Sequence, residues 1–243
     1  MPVSHPIPIE QNPTGYRYSV EPFLLAHFSR PGTGERVLEV GTGCGILSLL
    51  LTSREPDLDV TAVEIQESLF QHAVRNVAHR EREGIRVEHA DFLEWARSVP
   101  SASFDWILSN PPYRKQNSSR INPNPEKAIA RHEIKLSLPE LVAAAAPLLK
   151  PEGRLTLAYP PERREEWTAA LHKNGLAPAR SLTVYGHRHA APRILLIEAA
   201  RHHTVQKPED RELIMYNPNG SYTEAMQTIY ECFNHSGRSH RVR

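Results

Sequence analysis

Near the middle of the chain, Asn110-Pro111-Pro112-Tyr113 brings together residue types suited to one chemical task. The two prolines fix φ at successive positions and remove two backbone N–H groups. The residue before each proline is pushed towards extended geometry. The turn is therefore stiff, and it offers carbonyl oxygens, one side-chain amide and one aromatic ring. A flat group bearing an NH2 presents two N–H donors and a π face. Asn110 Oδ1 and the Pro111 carbonyl could accept both donors, and Tyr113 could stack on the face. An ordinary Asn-Pro turn closing a strand would explain the same four residues, so the decision rests on what precedes them. Upstream stand Glu39 with the loop Gly41-Thr42-Gly43-Cys44-Gly45, then Glu64, then Asp91.

The elements around these residues place them together. Phe104-Asp105-Trp106-Ile107-Leu108 reads as a buried strand running into the proline turn. Arg36–Val40 is a strand, the glycine loop a tight turn, and the run from Ile46 to near Arg54 a helix. Leu58–Glu64 is the next strand, Gln66–Arg80 an amphipathic helix, and Ile85–His89 a third strand. Asp91 reads as the cap of the short helical segment Phe92–Trp95. An apolar helix precedes the first strand at Val20–Phe28, with Pro22 in its first turn, where a missing N–H costs nothing. Strands alternating with helices predict a doubly wound parallel sheet. Ligands bind such sheets outside the carboxyl ends of the strands. Glu39, the glycine loop, Glu64, Asp91 and Asn110 all fall on that rim. Any one of them has an explanation as a cap or turn; their convergence favours a binding site.

Beyond the turn, Pro123–His132 reads as a polar, mobile insertion and Leu138–Leu149 as an Ala/Leu helix. Gly153–Tyr159 follows as a fifth strand and Pro161–Lys173 as a charged surface helix. Ala177–Tyr185 and Arg193–Ala200 are expected to form an antiparallel pair at one end of the sheet, with His187-Arg188-His189 in their connection. Glu212–Tyr216 is a short strand-like run, Asn217–Gly220 a turn, Tyr222–Phe233 a last helix, and His235–Arg243 a disordered tail. The expected organisation is a lead-in and helix over 1–35, a main domain over 36–200 and an extension over 201–243.

Two ligands suit a glycine loop and an acid in these places: a dinucleotide or S-adenosylmethionine. The dinucleotide fingerprint wants Gly or Ala three residues after its second glycine; here Gly43 is followed by Ile46. No Lys-Ser/Thr follows the loop, so it is not a P-loop. S-adenosylmethionine has no phosphate. It needs close backbone approach, a carboxylate for the ribose diol and polar groups for its two ends. Glu64 suits the ribose, Glu39 the methionyl ammonium, and Asp91 with Phe92 the adenine.

With these residues in view, Val37–Gly45, Glu64 and Asn110–Tyr113 resemble the class I methyltransferases that modify planar amino groups. Further stretches are similar to the bacterial tRNA1(Val) (adenine-37-N6)-methyltransferases. They are Gly15-Tyr16-Arg17-Tyr18-Ser19, Ala130-Arg131-His132-Glu133, Leu148–Leu155 and Gly220-Ser221-Tyr222-Thr223-Glu224. The pattern departs at Glu152, where a Lys-Pro-Gly-Gly turn would carry glycine. The resemblance implies a Rossmann-like sheet of seven strands, mostly parallel with an antiparallel C-terminal strand. It implies S-adenosyl-L-methionine as cofactor, with Asn110, Pro111, Pro112 and Tyr113 as the catalytic turn. It carries cofactor contacts to Glu39, to Gly41, Thr42, Gly43 and Gly45, to Glu64 and Ile65, to Asp91 and Phe92, and to Asn110, with Tyr16 and Arg17 closing over the cofactor. A tRNA is then the partner, and Arg114, Lys115 and Arg131 are expected on its phosphates; a solvated loop explains the same charges.

An exocyclic amine is a poor nucleophile because its lone pair is delocalised into the ring. Acceptors at Asn110 and Pro111 would favour a pyramidal nitrogen aimed at the sulfonium methyl, so catalysis is mainly positioning. No essential histidine is expected among the 13 present, and no spacing repeats a metal-ligand pattern. An RNA base must be splayed out to reach the rim. Two alternatives keep the enzyme class: an rRNA amino-group methyltransferase, and a glutamine-N5 methyltransferase of release factors. The latter usually carries an N-terminal helical domain, and the short stretch before Arg36 speaks against it. A cofactor-binding fold without catalysis is a third reading, disfavoured by the intact turn and loop.

Bulk composition is consistent with this. The 243 residues are 40% hydrophobic, enough for a sizeable core, and the net charge is +1. No apolar run is long enough to span a membrane, and Met1–Gln11 lacks the pattern of a signal peptide. Cys44 and Cys232 form no metal-ligand spacing and fit a reducing, cytoplasmic setting. A monomer or weak homodimer is expected.

Overall fold

Short apolar runs that stop at a polar residue set the strands. In Arg36–Val40 and Asp59–Glu64 every residue but the first is buried, as a strand covered on both faces must be. The computed structural model describes residues 9–12, 17–79, 84–111, 135–201, 204–205 and 207–234. Its elements in chain order are α1 (Glu21–Phe28), β1 (Arg36–Val40), α2 (Ile46–Arg54), β2 (Asp59–Glu64), α3 (Glu67–Ala78), β3 (Ile85–His89), α4 (Phe92–Ala96) and β4 (Phe104–Ser109). They continue with α5 (Leu138–Ala145), β5 (Leu149–Tyr159), α6 (Arg164–Lys173), β6 (Leu176–Tyr185), β7 (Pro192–Arg201), β8 (Glu209–Ile214) and α7 (Glu224–Asn234).

The strands form one sheet of eight in the order β3-β2-β1-β4-β5-β7-β6-β8. β1 pairs parallel with β2 and β4, β2 with β3, and β4 with β5. β7 runs antiparallel to both β5 and β6, while β6 and β8 are parallel. Every strand except β7 therefore points the same way. The class is the expected doubly wound α/β sheet, but the count of seven is corrected to eight, and the β6–β7 pair is not the end of the sheet. The eighth strand lies under Glu209-Asp210-Arg211-Glu212, four exposed charged residues that hide it from a search for apolar runs. It is held by pairing with β6 and by Arg164, which reaches Asp210 at 2.8 Å.

Other boundaries moved for local reasons. The helix expected over Leu138–Leu149 ends at Ala145 and passes through a 3-10 turn at Ala146–Leu148, because Pro147 cannot continue the α-helical bonding. β5 consequently begins at Leu149, which pairs with Phe104 before the register jumps to Trp106–Arg154. Lys150, in the jump, grips Asp105 at 2.7 Å. The last helix starts at Glu224 rather than Tyr222, since Tyr222 bridges Tyr216 and the Thr223 hydroxyl accepts from the Met226 N–H at 3.3 Å. The insertion Pro123–His132 and the tail His235–Arg243 lie outside the described residues.

Two apolar clusters fill the two faces of the sheet. One joins α1 and α2 to α7 through Phe23, Leu24, Leu50, Met226, Ile229 and Phe233. The other packs α5 and α6, with Trp167 of α6, over Leu38, Ile107 and Leu155 of the sheet. Phe23 is the hub of the first, with its ring 5.0 Å from Tyr230 and 6.1 Å from Phe233. Truncating so central a ring leaves a cavity, and Phe23→Ala should lower unfolding stability by about 3–5 kcal/mol. A urea unfolding midpoint would show it; a loss under about 1 kcal/mol would mean that α7 is not part of this core.

Candidate active site

The carboxyl ends of β1, β2, β3 and β4 form one side of a cleft. Glu39, Gly41, Thr42, Gly43, Glu64, Ile65, Asp91, Phe92, Asn110 and Pro111 all line it. The glycine loop is held against β2 by the N–H groups of Gly41 and Thr42, which donate to the Val63 carbonyl at 2.9 and 3.1 Å. Gly41 and Gly43 have φ of +73° and +59°, in the left-handed region that favours glycine. A Cβ at either would meet no protein atom within 4 Å, so the loop leaves space for close approach of a ligand. Gly45 has a different task. It sits at the start of α2, and a Cβ there would stand 3.4 Å from the Ala73 side chain of α3, so it packs helix on helix.

Two buried carboxylates face the cleft. Glu64, at the end of β2, accepts the Gly43 N–H at 2.8 Å and the Gln66 N–H at 2.9 Å, one on each oxygen. Each oxygen keeps a lone pair, which suits a vicinal diol. Burial raises its pKa, and those backbone donors pull it back. Glu39 is 3% exposed and accepts from both the N–H and the hydroxyl of Ser48 in the first turn of α2. Burial pushes its carboxyl up to about 7, against the hydrogen bonds from Ser48. A cation brought into the cleft would favour its ionised form. Cys44 also lines the cleft, but burial pushes its thiol up to about 12, so it stays protonated and inert.

Further along the same rim, Asp91 caps α4 through Leu93 N–H at 2.8 Å, using one of its two oxygens. The Ser109 hydroxyl donates to the Val40 carbonyl at 2.6 Å and ties the end of β4 to the end of β1, one residue ahead of Asn110. Arg17 is exposed and does not line the cleft, whereas Tyr18 does. Tyr16, Pro112, Tyr113, Arg114, Lys115 and Arg131 lie outside the described residues.

Several contributors escaped the sequence reading. Tyr18, Pro22, Gln66, Leu69, Lys135 and Leu136 also line the cleft. Nothing in the sequence separates Tyr18 from Tyr16, two positions away and of the same type. Asn76 of α3 is the more instructive omission. Its amide donates to the Cys44 carbonyl in the glycine loop and to the Glu10 carbonyl, both at 2.9 Å, and accepts the Glu10 N–H at 2.8 Å. One buried side chain thus straps the segment 9–12 across α3 and anchors the loop. A lone Asn in an amphipathic helix carries no signal of this.

The donor set fits S-adenosylmethionine. Lys135 is the one cation among the described lining residues, so the loop is not built to hold phosphate. Two carboxylates and a glycine cradle instead suit a ligand with a positive charge and a ribose.

The chain is similar to known proteins along most of its length. A family model described as methyltransferase small domain matches residues 21–166. A tRNA1(Val) (adenine(37)-N6)-methyltransferase of Parabacteroides distasonis is 31% identical over 211 residues, covering 86% of this chain and 87% of that one. A protein of the same description from Vibrio cholerae is 30% identical, covering 89% and 88%. A crystal structure of a predicted O-methyltransferase from Agrobacterium tumefaciens superposes with TM-score 0.67 at 17% identity, over 87% of this chain and 96% of that one; it shares the fold.

Because the Glu39 pKa is raised from 4.5 to about 7, the folded state holds a proton that the unfolded state has lost in that window. Its contribution is full below pH 4.5 and fades by pH 7, a loss of about 3 kcal/mol. The difference between wild-type and Glu39→Gln unfolding free energies across pH 4–8 isolates it, and a flat difference would refute it. Asn76→Ala should weaken S-adenosylmethionine binding about tenfold in calorimetry, a little over 1 kcal/mol.

Proposed function

The chain belongs to the methyltransferase small-domain family, and from that premise we propose that it methylates the exocyclic N6 of adenine 37 in the anticodon loop of valine tRNA. It is an S-adenosylmethionine-dependent methyltransferase, as its relatives of the same length are. The observation that carries the reading is the placement of Asn110 and Pro111 at the end of β4, on the same cleft as Glu39 and Glu64. When bound, S-adenosylmethionine supplies an electrophilic methyl on a sulfonium.

Each polar group on the rim then has a role. Glu64 accepts the two ribose hydroxyls, Glu39 faces the methionyl ammonium, and Asp91 with Phe92 frames the cofactor's adenine. Asn110 Oδ1 and the Pro111 carbonyl accept the two N–H bonds of the target amine. The nitrogen lone pair is then free to point at the methyl, and Tyr113 stacks on the base. Catalysis is alignment, for which well-oriented reactants gain several powers of ten. The product ammonium is acidic enough to lose its proton to water, so no histidine is required. Arg114, Lys115 and Arg131 hold phosphates around the splayed base. The substrate implies a cytoplasmic setting. One chain supplies every group named here, so a monomer suffices. No helix among the described residues is long and apolar enough to cross a membrane.

The test is methyl transfer from labelled S-adenosylmethionine to unmodified valine tRNA, with the product nucleoside identified by mass spectrometry. N6-methyladenosine in the anticodon loop is expected. Asn110→Ala should cut the rate by about 100-fold or more, the scale seen when one aligned polar group is removed from an active site. A release-factor protein serves as the parallel substrate. Label on that protein and none on tRNA would move the assignment to glutamine.

A further inference from the structure

The connection between β6 and β7, Gly186-His187-Arg188-His189-Ala190-Ala191, together with the first two residues of β7, Pro192-Arg193, carries two arginines, two histidines and no acid. His187, Arg188, His189 and Arg193 are all exposed. Because β6 and β8 run parallel with β1–β5, this connection and the residues after β8 emerge on the rim that holds the cleft. Rings stand beside the cations. The turn at Asn217–Gly220 closes with Gly220 N–H on the Asn217 carbonyl at 2.9 Å and folds Tyr222 back on Tyr216. Their rings stack at 5.2 Å and 18°, and His187 lies 5.6 Å from Tyr216.

The stack is continuous with the cleft. Tyr222 lies 5.3 Å from Tyr230, Tyr230 5.0 Å from Phe23, and Phe23 6.2 Å from Tyr18, which lines the cofactor site. Arg193 packs across Gly186 and acts electrostatically on both Tyr216 and Glu21, the neighbour of cleft-lining Pro22. A chain of ring contacts thus links the turn, through His187, to the wall of the cleft. Glu212 also stands on this side, where it accepts the Tyr185 hydroxyl at 3.2 Å.

We propose that the His187–Arg193 turn and the stacked Tyr216–Tyr222 pair form a second RNA-gripping surface beside the active site, holding the phosphate backbone that flanks the target loop. It rests on the tRNA reading above and adds where the substrate is held. Arginine forks suit phosphate oxygens, and an aromatic face suits an unstacked base of a single-stranded loop. Phosphate contacts set register and orientation and leave base identity to the catalytic turn. The rings also pack against the core, which holds the pair in place; an acidic protein surface would engage the cations alone.

Fluorescence anisotropy with labelled valine tRNA tests this. The variant is Arg188→Ala/Arg193→Ala, both exposed; the control is Lys173→Ala, an exposed cation at the end of α6, which leads into the opposite end of β6. The double variant should bind tRNA about tenfold more weakly near 0.15 M salt, with the slope of log affinity against log salt reduced by about 1–2. Its S-adenosylmethionine affinity should stay at the wild-type value. Unchanged tRNA affinity and slope, or an equal loss in Lys173→Ala, would overturn the proposal. Methyl transfer by the wild-type enzyme reports separately on the tRNA reading. Wild-type transfer with no binding defect in the double variant sinks only the second surface.

Discussion

A buried carboxylate must be given hydrogen-bond donors, and much of this active site is arranged around that requirement. Glu64 has almost no contact with water, so its two oxygens take the Gly43 and Gln66 N–H groups. Those two bonds fix where the glycine loop lies relative to the end of β2. Once the loop is placed, α2 must start at Gly45, and Ser48 in its first turn falls where it serves the second buried acid, Glu39. The two acids therefore shape the backbone before they meet a ligand, and each retains acceptor capacity for one.

The loop is held from three directions. β2 takes its N–H groups through the Val63 carbonyl, Glu64 takes the Gly43 N–H, and Asn76 takes the Cys44 carbonyl. Left-handed glycines supply the turn, and neighbouring elements remove the freedom that glycine would otherwise keep. The end of β4 is organised more simply. Ser109 locks β4 to β1, and the chain leaves the sheet at Asn110 from a fixed point. Preorganisation of this kind is what an alignment-based reaction needs, since small displacements of a reacting group are costly in rate.

The strand ends that make the rim could be read directly from the sequence because each joins a short apolar run to a polar stop. Glu39, Glu64, Asp91 and Asn110, at or just past such stops, line one cleft. Features set by contacts distant in sequence could not be read this way. Asn76 reaches Glu10 and Cys44 across 66 and 32 residues, and its neighbours in α3 resemble any amphipathic surface. Gly45 shares the left-handed φ of the other loop glycines, but its proximity to Ala73 of α3 gives it a packing task that spacing does not reveal. Strand β8 was missed as a sheet member because its pattern is one of charge, and its pairing with β6 depends on residues nearly thirty positions earlier.

That charged strand bears on how the molecule behaves in a crowded solution. An open sheet has an unpaired edge that can template addition of a strand from another copy. Here the edge is β8, and it presents Glu209, Asp210, Arg211 and Glu212 to solvent. A copy adding there would have to desolvate a row of ionised groups. The residues that made β8 hard to recognise thus guard the sheet against self-association into aggregates, at the end of the fold remote from β3.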